Sequence, residues 1–131
     1  MARILIADDG EQVRKSLRHL LEQHEGWDVC GEASDGEETL QKLQELNPDV
    51  VVLDLAMPGM DGLEVARRIA KLHRPIAVVL CSMYVDAQLA QSSRRAGISG
   101  LVSKSNPKQI VEGIEAALRG ERFIASSFCL V

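Results

Sequence analysis

Aromatic residues are scarce in this chain of 131 residues: one Trp, one Tyr and two Phe, which leaves few rings to stack on a flavin. Cysteine is also sparse. Cys30, Cys81 and Cys129 show no C-x-x-C pairing and no metal-ligand spacing, which excludes a disulfide scaffold and a thiolate metal centre. The first two lie in strand-like apolar stretches, where free thiols pack as small hydrophobes. Long hydrophobic runs are missing too. Those at 50–53 and 76–81 are far too short to cross a bilayer, and the run at 4–7 meets Asp8 too early for a signal peptide. A cytoplasmic location without membrane contact is therefore expected. Nor is there an excess of positive charge. The net charge of −4 gives no general attraction to nucleic acid, so direct binding of it by this domain is not expected. Arg67, Arg68, Lys71, Arg94 and Arg95 have acidic neighbours on predicted helices and read as solvated faces. His19, His24 and His73 share no metal-ligand spacing and read as surface residues.

What remains is ordinary globular material, 46% apolar and 26% charged, in a length that suits one compact domain. Five short apolar runs alternate with five helical patterns, which predicts a doubly wound α/β fold with a five-stranded parallel sheet between two helical layers, (βα)5. The strands are expected at 3–7, 27–33, 50–53, 76–81 and 101–102. The first helix carries Val13, Leu17, Leu20 and Leu21 on one stripe. The second is marked by Leu40, Leu43 and Leu46, starts at a Ser34/Glu37 capping box and stops at Asn47-Pro48. The others are expected at about 63–72, 86–96 and 107–118, with Gly97 and Gly120 as stops and Pro107 at a first helical position. Residues 1–120 read as one domain. Residues 121–131 read as a tail, or as the start of a linker to an effector domain absent from this sequence.

In open parallel sheets ligands bind beyond the carboxyl ends of the strands, so the polar residues at those ends are the candidates for chemistry. The first strand ends in Asp8-Asp9, the third in Asp54, the fourth in Ser82 and the fifth in Lys104. A flavodoxin-like order 2-1-3-4-5 with right-handed crossovers gathers these side chains along one edge. Three carboxylates so close together need a cation. Mg²⁺ suits them, because it takes oxygen ligands and commonly completes its shell with a phosphate oxygen. A carboxylate can attack phosphorus once metal and cation neutralise the transferring group, which makes Asp54, at the end of the central strand, the candidate nucleophile. Asp8 and Asp9 would hold Mg²⁺, while Lys104 and the Ser82 hydroxyl would meet phosphoryl oxygens. Loss of that hydroxyl is expected to spare the chemistry and weaken the switch. Each Asp taken alone could be a turn former or helix cap. That account fails for three acids, a Ser and a Lys at four strand ends together.

The segments ILIADD, VVLDLAMPGMDGLE, VLCSM and GLVSK, in this order and spacing, resemble the response-regulator receiver family over nearly the whole chain. SMYVDAQLAQSSRRAG and RGERFIAS look most like receivers that precede a helix-turn-helix domain of the LuxR or NarL type. The resemblance implies phosphorylation at Asp54 by a histidine kinase or small phosphodonor. It implies Mg²⁺ coordination by the Asp8, Asp9 and Asp54 side chains and the Ala56 backbone carbonyl. It further implies a phosphorylation-dependent change in the face formed by helix four, strand five and helix five, with transcription as the output. A homodimer through helix-covered faces is plausible by the same likeness. The chain departs from the family at Leu101, where Tyr or Phe is frequent, at Ser105, where Pro is frequent, and at Gly10. Ala56 and Tyr84 stand two places beyond Asp54 and Ser82, where they bear on water access.

Three other readings compete. An aspartate-nucleophile phosphatase of the haloacid dehalogenase type would carry a second Asp two residues after the nucleophile, where this chain has Ala56. A flavin carrier would need a Ser/Thr/Gly-rich phosphate loop after strand one. A receiver that interacts without phosphorylation is countered by the complete acidic set. Catalysis is thus expected to be limited to the domain's own phosphorylation and dephosphorylation, without turnover of a separate substrate.

Overall fold

A computed structural model describes residues 1–125. Its elements run β1 (Ala2–Ala7), α1 (Glu11–Glu22), β2 (Trp27–Ala33), α2 (Gly36–Leu46), β3 (Val50–Asp54) and α3 (Gly62–Lys71). They continue through β4 (Ala77–Ser82), α4 (Ala87–Arg95), β5 (Gly100–Ser103), α5 (Pro107–Leu118) and β6 (Phe123–Ile124). All ladders are parallel and the strand order is β2-β1-β3-β4-β5-β6. The expected order of five strands is observed, with a sixth strand added at the β5 edge. This strand falls inside the segment read as tail or linker, and two residues are too few to show a period in the sequence. Phe123 donates its amide to Ser99 and Ala125 donates to Leu101. Cys129 and the rest of that segment, 126–131, lie outside the described residues.

The pleat divides the core in two. Ile4, Ile6, Val50, Val52, Val79, Cys81 and Val102 pack with Leu17 and Leu21 of α1 and Ile110, Ile114 and Ala117 of α5. Leu5, Val51, Leu53, Val78, Leu80 and Leu101 pack with Leu43, Val65, Ile69 and Ala90 on the side of α2, α3 and α4. Strands buried on both faces must be apolar at successive positions, which is why β3 reads as an unbroken run. The weaker alternation in the second strand has a local cause. Ile4 pairs with Val29 but Leu5 pairs with Gly31, so Cys30 is an extra residue in a β-bulge.

Side-chain caps start four of the helices: Asp35, Asp61, Asp86 and Asn106 accept from the amides of Glu38, Glu64, Leu89 and Gln109. The expected Ser34/Glu37 box is therefore displaced by one residue. Asp35 is the cap, and Glu38 Oε1 reaches back to the Ser34 amide at 2.6 Å. An ionised Asp is a stronger acceptor than a Ser hydroxyl, and here it takes the position. Asn47 ends α2 with φ 50° and Gly97 follows α4 with φ 78°. Among the described residues, no helix is long and apolar enough to cross a membrane.

Candidate functional site at the carboxyl edge

The same pleat decides which side chains meet at the carboxyl edge. Continuing the alternation past Ile6, Val52 and Val102 puts Asp8, Asp54 and Lys104 on the α1/α5 side, whereas Ser82 continues the row of Val78 and Leu80. The geometry follows that division. Lys104 Nζ lies 3.0 Å from Asp8 Oδ2 and 3.1 Å from Asp54 Oδ2, bridging the two acids across neighbouring strands. Asp8 and Asp54 are only 2% and 3% exposed, while Asp9 stands exposed in the turn above them. One carboxylate oxygen from each of the three acids falls within 4.8 Å of the other two.

Local backbone bonds aim these groups. Asp8 Oδ1 accepts from the Gly10 amide at 2.8 Å, and Asp54 Oδ1 accepts from the Ala56 amide at 3.3 Å. The Lys104 amide donates to the Ser82 carbonyl at 2.8 Å, tying the ends of β4 and β5. Ser82 is buried at the same edge, but its hydroxyl donates to the Tyr84 carbonyl at 2.7 Å and accepts from the Tyr84 amide at 3.3 Å. Gly62 permits the close packing beneath the pocket. A Cβ there would stand 2.5 Å from the Asp54 carbonyl oxygen and 2.7 Å from Leu80 Cδ1.

Burial pushes the Asp54 carboxyl above its ordinary pKa. The Lys104 hydrogen bond pulls it back, but the Asp8 charge adds to the upward push and the group stays raised. Burial pulls Lys104 down, yet its bonds to Asp8 and Asp54 outweigh this and hold the ammonium above the usual lysine value. Three carboxylates and one ammonium leave a formal −3 + 1 = −2 in the pocket. All the ligand atoms are oxygens, and a hard divalent cation such as Mg²⁺ fits both the charge and the donor type.

The structure therefore brings together four of the predicted residues, Asp8, Asp9, Asp54 and Lys104, and places Ser82 beside them with its hydroxyl engaged elsewhere. Cys81, below the site, is fully packed, and burial pushes its thiol up to about 12, as suits a structural cysteine. Cys30 is half-buried and donates to the Ile4 carbonyl. Sequence reasoning passed over Arg14, whose guanidinium donates to the Asp8 carbonyl at 2.7 Å. The available signal was its place one turn before Arg18 on α1, with both side chains directed to Glu32 of β2.

Fold and pocket together define a flavodoxin-like α/β domain of the receiver class. The chain belongs to the response regulator receiver domain family, whose sequence profile matches residues 4–115. It is 35% identical over 127 residues to the response regulator UvrY of Escherichia coli (strain K12), covering 96% of this chain and 58% of that protein. It is 45% identical over 103 residues to a protein-glutamate methylesterase/protein-glutamine glutaminase of Myxococcus xanthus (strain DK1622), covering 78% of this chain and 30% of that protein. A solved two-component response regulator of the LuxR family from Aurantimonas sp. SI85-9A1 superposes with a TM-score of 0.93 at 35% identity, covering 98% of this chain and 93% of that one. The chain thus spans little more than half the length of curated relatives such as UvrY. It is a receiver domain of the two-component kind, similar to LuxR-type regulators.

Proposed function

We propose that Asp54 is the phosphoacceptor of an active switch, with Asp8, Asp9, Asp54 and the Ala56 carbonyl as the ligands of Mg²⁺. The observation that carries this reading is the convergence of three carboxylates within 4.8 Å, with Lys104 bridging two of them. When bound, Mg²⁺ supplies charge neutralisation for the transferring phosphoryl group. An Asp54 carboxylate oxygen forms a bond to phosphorus as the donor's P–N bond to histidine, or P–O bond to a small acyl donor, breaks. The leaving group keeps the electron pair of the broken bond. Lys104 follows the new negative charge by pairing with a phosphoryl oxygen. The Ser82 hydroxyl exchanges the Tyr84 carbonyl for another phosphoryl oxygen and draws the β4–α4 segment toward the site. Phosphorylation then shifts a population between two arrangements of the α4, β5 and α5 face.

The phosphoryl source is a histidine kinase or a small phosphodonor in the cytoplasm. In the full protein the output is transcription through a helix-turn-helix effector, supported by the likeness to LuxR-type regulators. Residues 1–120, with β6 (Phe123–Ile124) paired onto β5, form the receiver, and the rest of the 121–131 segment is a tail or the start of a linker to that effector. The domain's own chemistry is confined to its phosphorylation and dephosphorylation.

Intact mass after incubation with acetyl phosphate tests the reading, with and without Mg²⁺, on the parent and on Asp54→Asn. The parent is expected to gain one phosphoryl group only with Mg²⁺, and the variant none. Undiminished uptake by folded Asp54→Asn would remove Asp54 from the role.

A further inference from the structure

The main chain is held on both sides of Asp8. The Asp8 amide donates to the Ala33 carbonyl at 3.0 Å, at the end of β2. The Asp8 carbonyl accepts from Arg14 Nη1 at 2.7 Å. That carbonyl belongs to the peptide plane shared with Asp9, so its direction sets how the two successive side chains diverge from the main chain. Arg14 is only 17% exposed, and its Nε donates to Glu32 Oε1 at 3.1 Å. Glu32 Oε2 in turn accepts from Arg18 Nε at 2.7 Å, and Arg18 Nη1 donates to Glu22 Oε2 at 3.2 Å. The chain of bonds runs from the outer part of α1 across β2 to the acidic pocket.

A guanidinium serves this position better than any other side chain. Its planar fork donates to a carbonyl and a carboxylate at once, which a single ammonium cannot do with the same geometry. Its positive charge would oppose a cation in the neighbouring pocket were it not offset. Glu32 supplies the offset, with Glu22 balancing the Arg18 guanidinium that shares it. Burial pushes its carboxyl up, but the bonds from Arg18 and then Arg14 outweigh this and hold it below the usual carboxylate range.

We infer that Arg14 is a positioning residue for the acidic pocket: it fixes the Asp8–Asp9 peptide so that both carboxylates converge on one cation, while Glu32 offsets its charge. The inference rests on the reading of Asp8, Asp9 and Asp54 as Mg²⁺ ligands. Arg14 touches neither the cation nor the phosphoryl group, so its effect falls on cation affinity and not on the transfer step.

The test titrates Mg²⁺ alone into the unphosphorylated chain, followed by amide NMR shifts, with melting in EDTA recorded for each variant. Arg14→Ala is expected to weaken Mg²⁺ binding by about tenfold, the scale found when groups supporting metal ligands are removed. Arg14→Lys recovers part of that loss. Glu32→Gln weakens binding by itself and adds nothing further in the Arg14→Ala background, because the two act as one unit. At saturating Mg²⁺, phosphorylation of Arg14→Ala by acetyl phosphate returns to the parental rate, which a merely structural defect would not do. A folded Arg14→Ala that binds Mg²⁺ within about twofold of the parent overturns the inference, being far below the supporting-group scale. Should that variant not fold, unchanged affinity in both Arg14→Lys and Glu32→Gln overturns it equally. An Asp9→Asn variant separates the two levels. Undiminished Mg²⁺ binding there, or no saturable binding by the parent, overturns the ligand reading and the inference with it. Binding lost in Asp9→Asn but kept in the Arg14 variants overturns the role of Arg14 alone.

Discussion

Lys104 serves two carboxylates with one charge, so the pocket carries a repulsion that the fold has to bear. Asp54 is the group that shows it, through a carboxyl pKa raised first by burial and further by Asp8. A carboxyl whose folded pKa is raised costs stability above that pKa, and the cost disappears as pH falls through it. Asp54→Asn should therefore melt a few degrees higher than the parent at neutral pH, because Lys104 keeps Asp8 as its partner. The difference should shrink in two ways: as pH falls through the raised Asp54 value, and as Mg²⁺ is added, because a bound cation stabilises the parent. Calorimetric melts across pH, with EDTA or Mg²⁺, check both, and a parent more stable than the variant throughout would contradict the crowding. Asp8, Asp9, Asp54 and Lys104 were legible in the sequence because each stands where an apolar run stops. Arg14 was not, since its partner is a main-chain carbonyl, and a carbonyl leaves no mark in a sequence. The direction of the Ser82 hydroxyl was likewise hidden, although its pleat row could have been read from Val78 and Leu80.

Helix α3 begins closer to β3 than most side chains allow. With a Cβ at position 62 facing the Asp54 carbonyl at 2.5 Å and the Leu55 Cα at 2.9 Å, backbone atoms would have to move. Gly62→Ala is expected to destabilise the domain by about 2–3 kcal/mol despite the better helix propensity of Ala, as overpacking does elsewhere. Chemical denaturation measures the loss, and a neutral or stabilising result would show that α3 can withdraw freely. The layered architecture and the helices were readable from periodicity because each buries a single stripe, as Ile110, Ile114 and Ala117 do in α5. Features of one or two residues were less readable. The bulge at Cys30 blurred β2, the α2 cap lay one residue from its expected place, and β6 offered no period at all.

At the scale of the whole molecule, charged side chains tie one element to the next. The Arg14–Glu32–Arg18 network joins α1 to β2, and the Ser34 bonds to Glu38 close the β2–α2 turn. The Ser34 amide is the largest influence holding Glu38 below the ordinary glutamate value of 4.5, and Glu32 lies below it as well. Groups with depressed folded pKa values contribute stability that is present above the unfolded value and lost as pH falls through the folded one. Stability should accordingly decline below about pH 4.5, where the unfolded chain begins to bind protons at these two sites before the folded one does. In Glu32→Gln the acid-induced decline should be shallower from a lower starting stability, measured by denaturation at a series of pH values. An unchanged acid profile would assign the decline to other groups.

The lysine bridge also bears on how such a domain can change over generations. Because Lys104 is covalently part of the chain, it accompanies Asp8 and Asp54 whether or not a metal is bound. A lineage that lost the exposed Asp9 would forfeit one carboxylate of the proposed Mg²⁺ site and keep that buried ion bridge intact. The architecture can therefore outlive the proposed chemistry, leaving descendants that retain the shape and its surfaces for other uses.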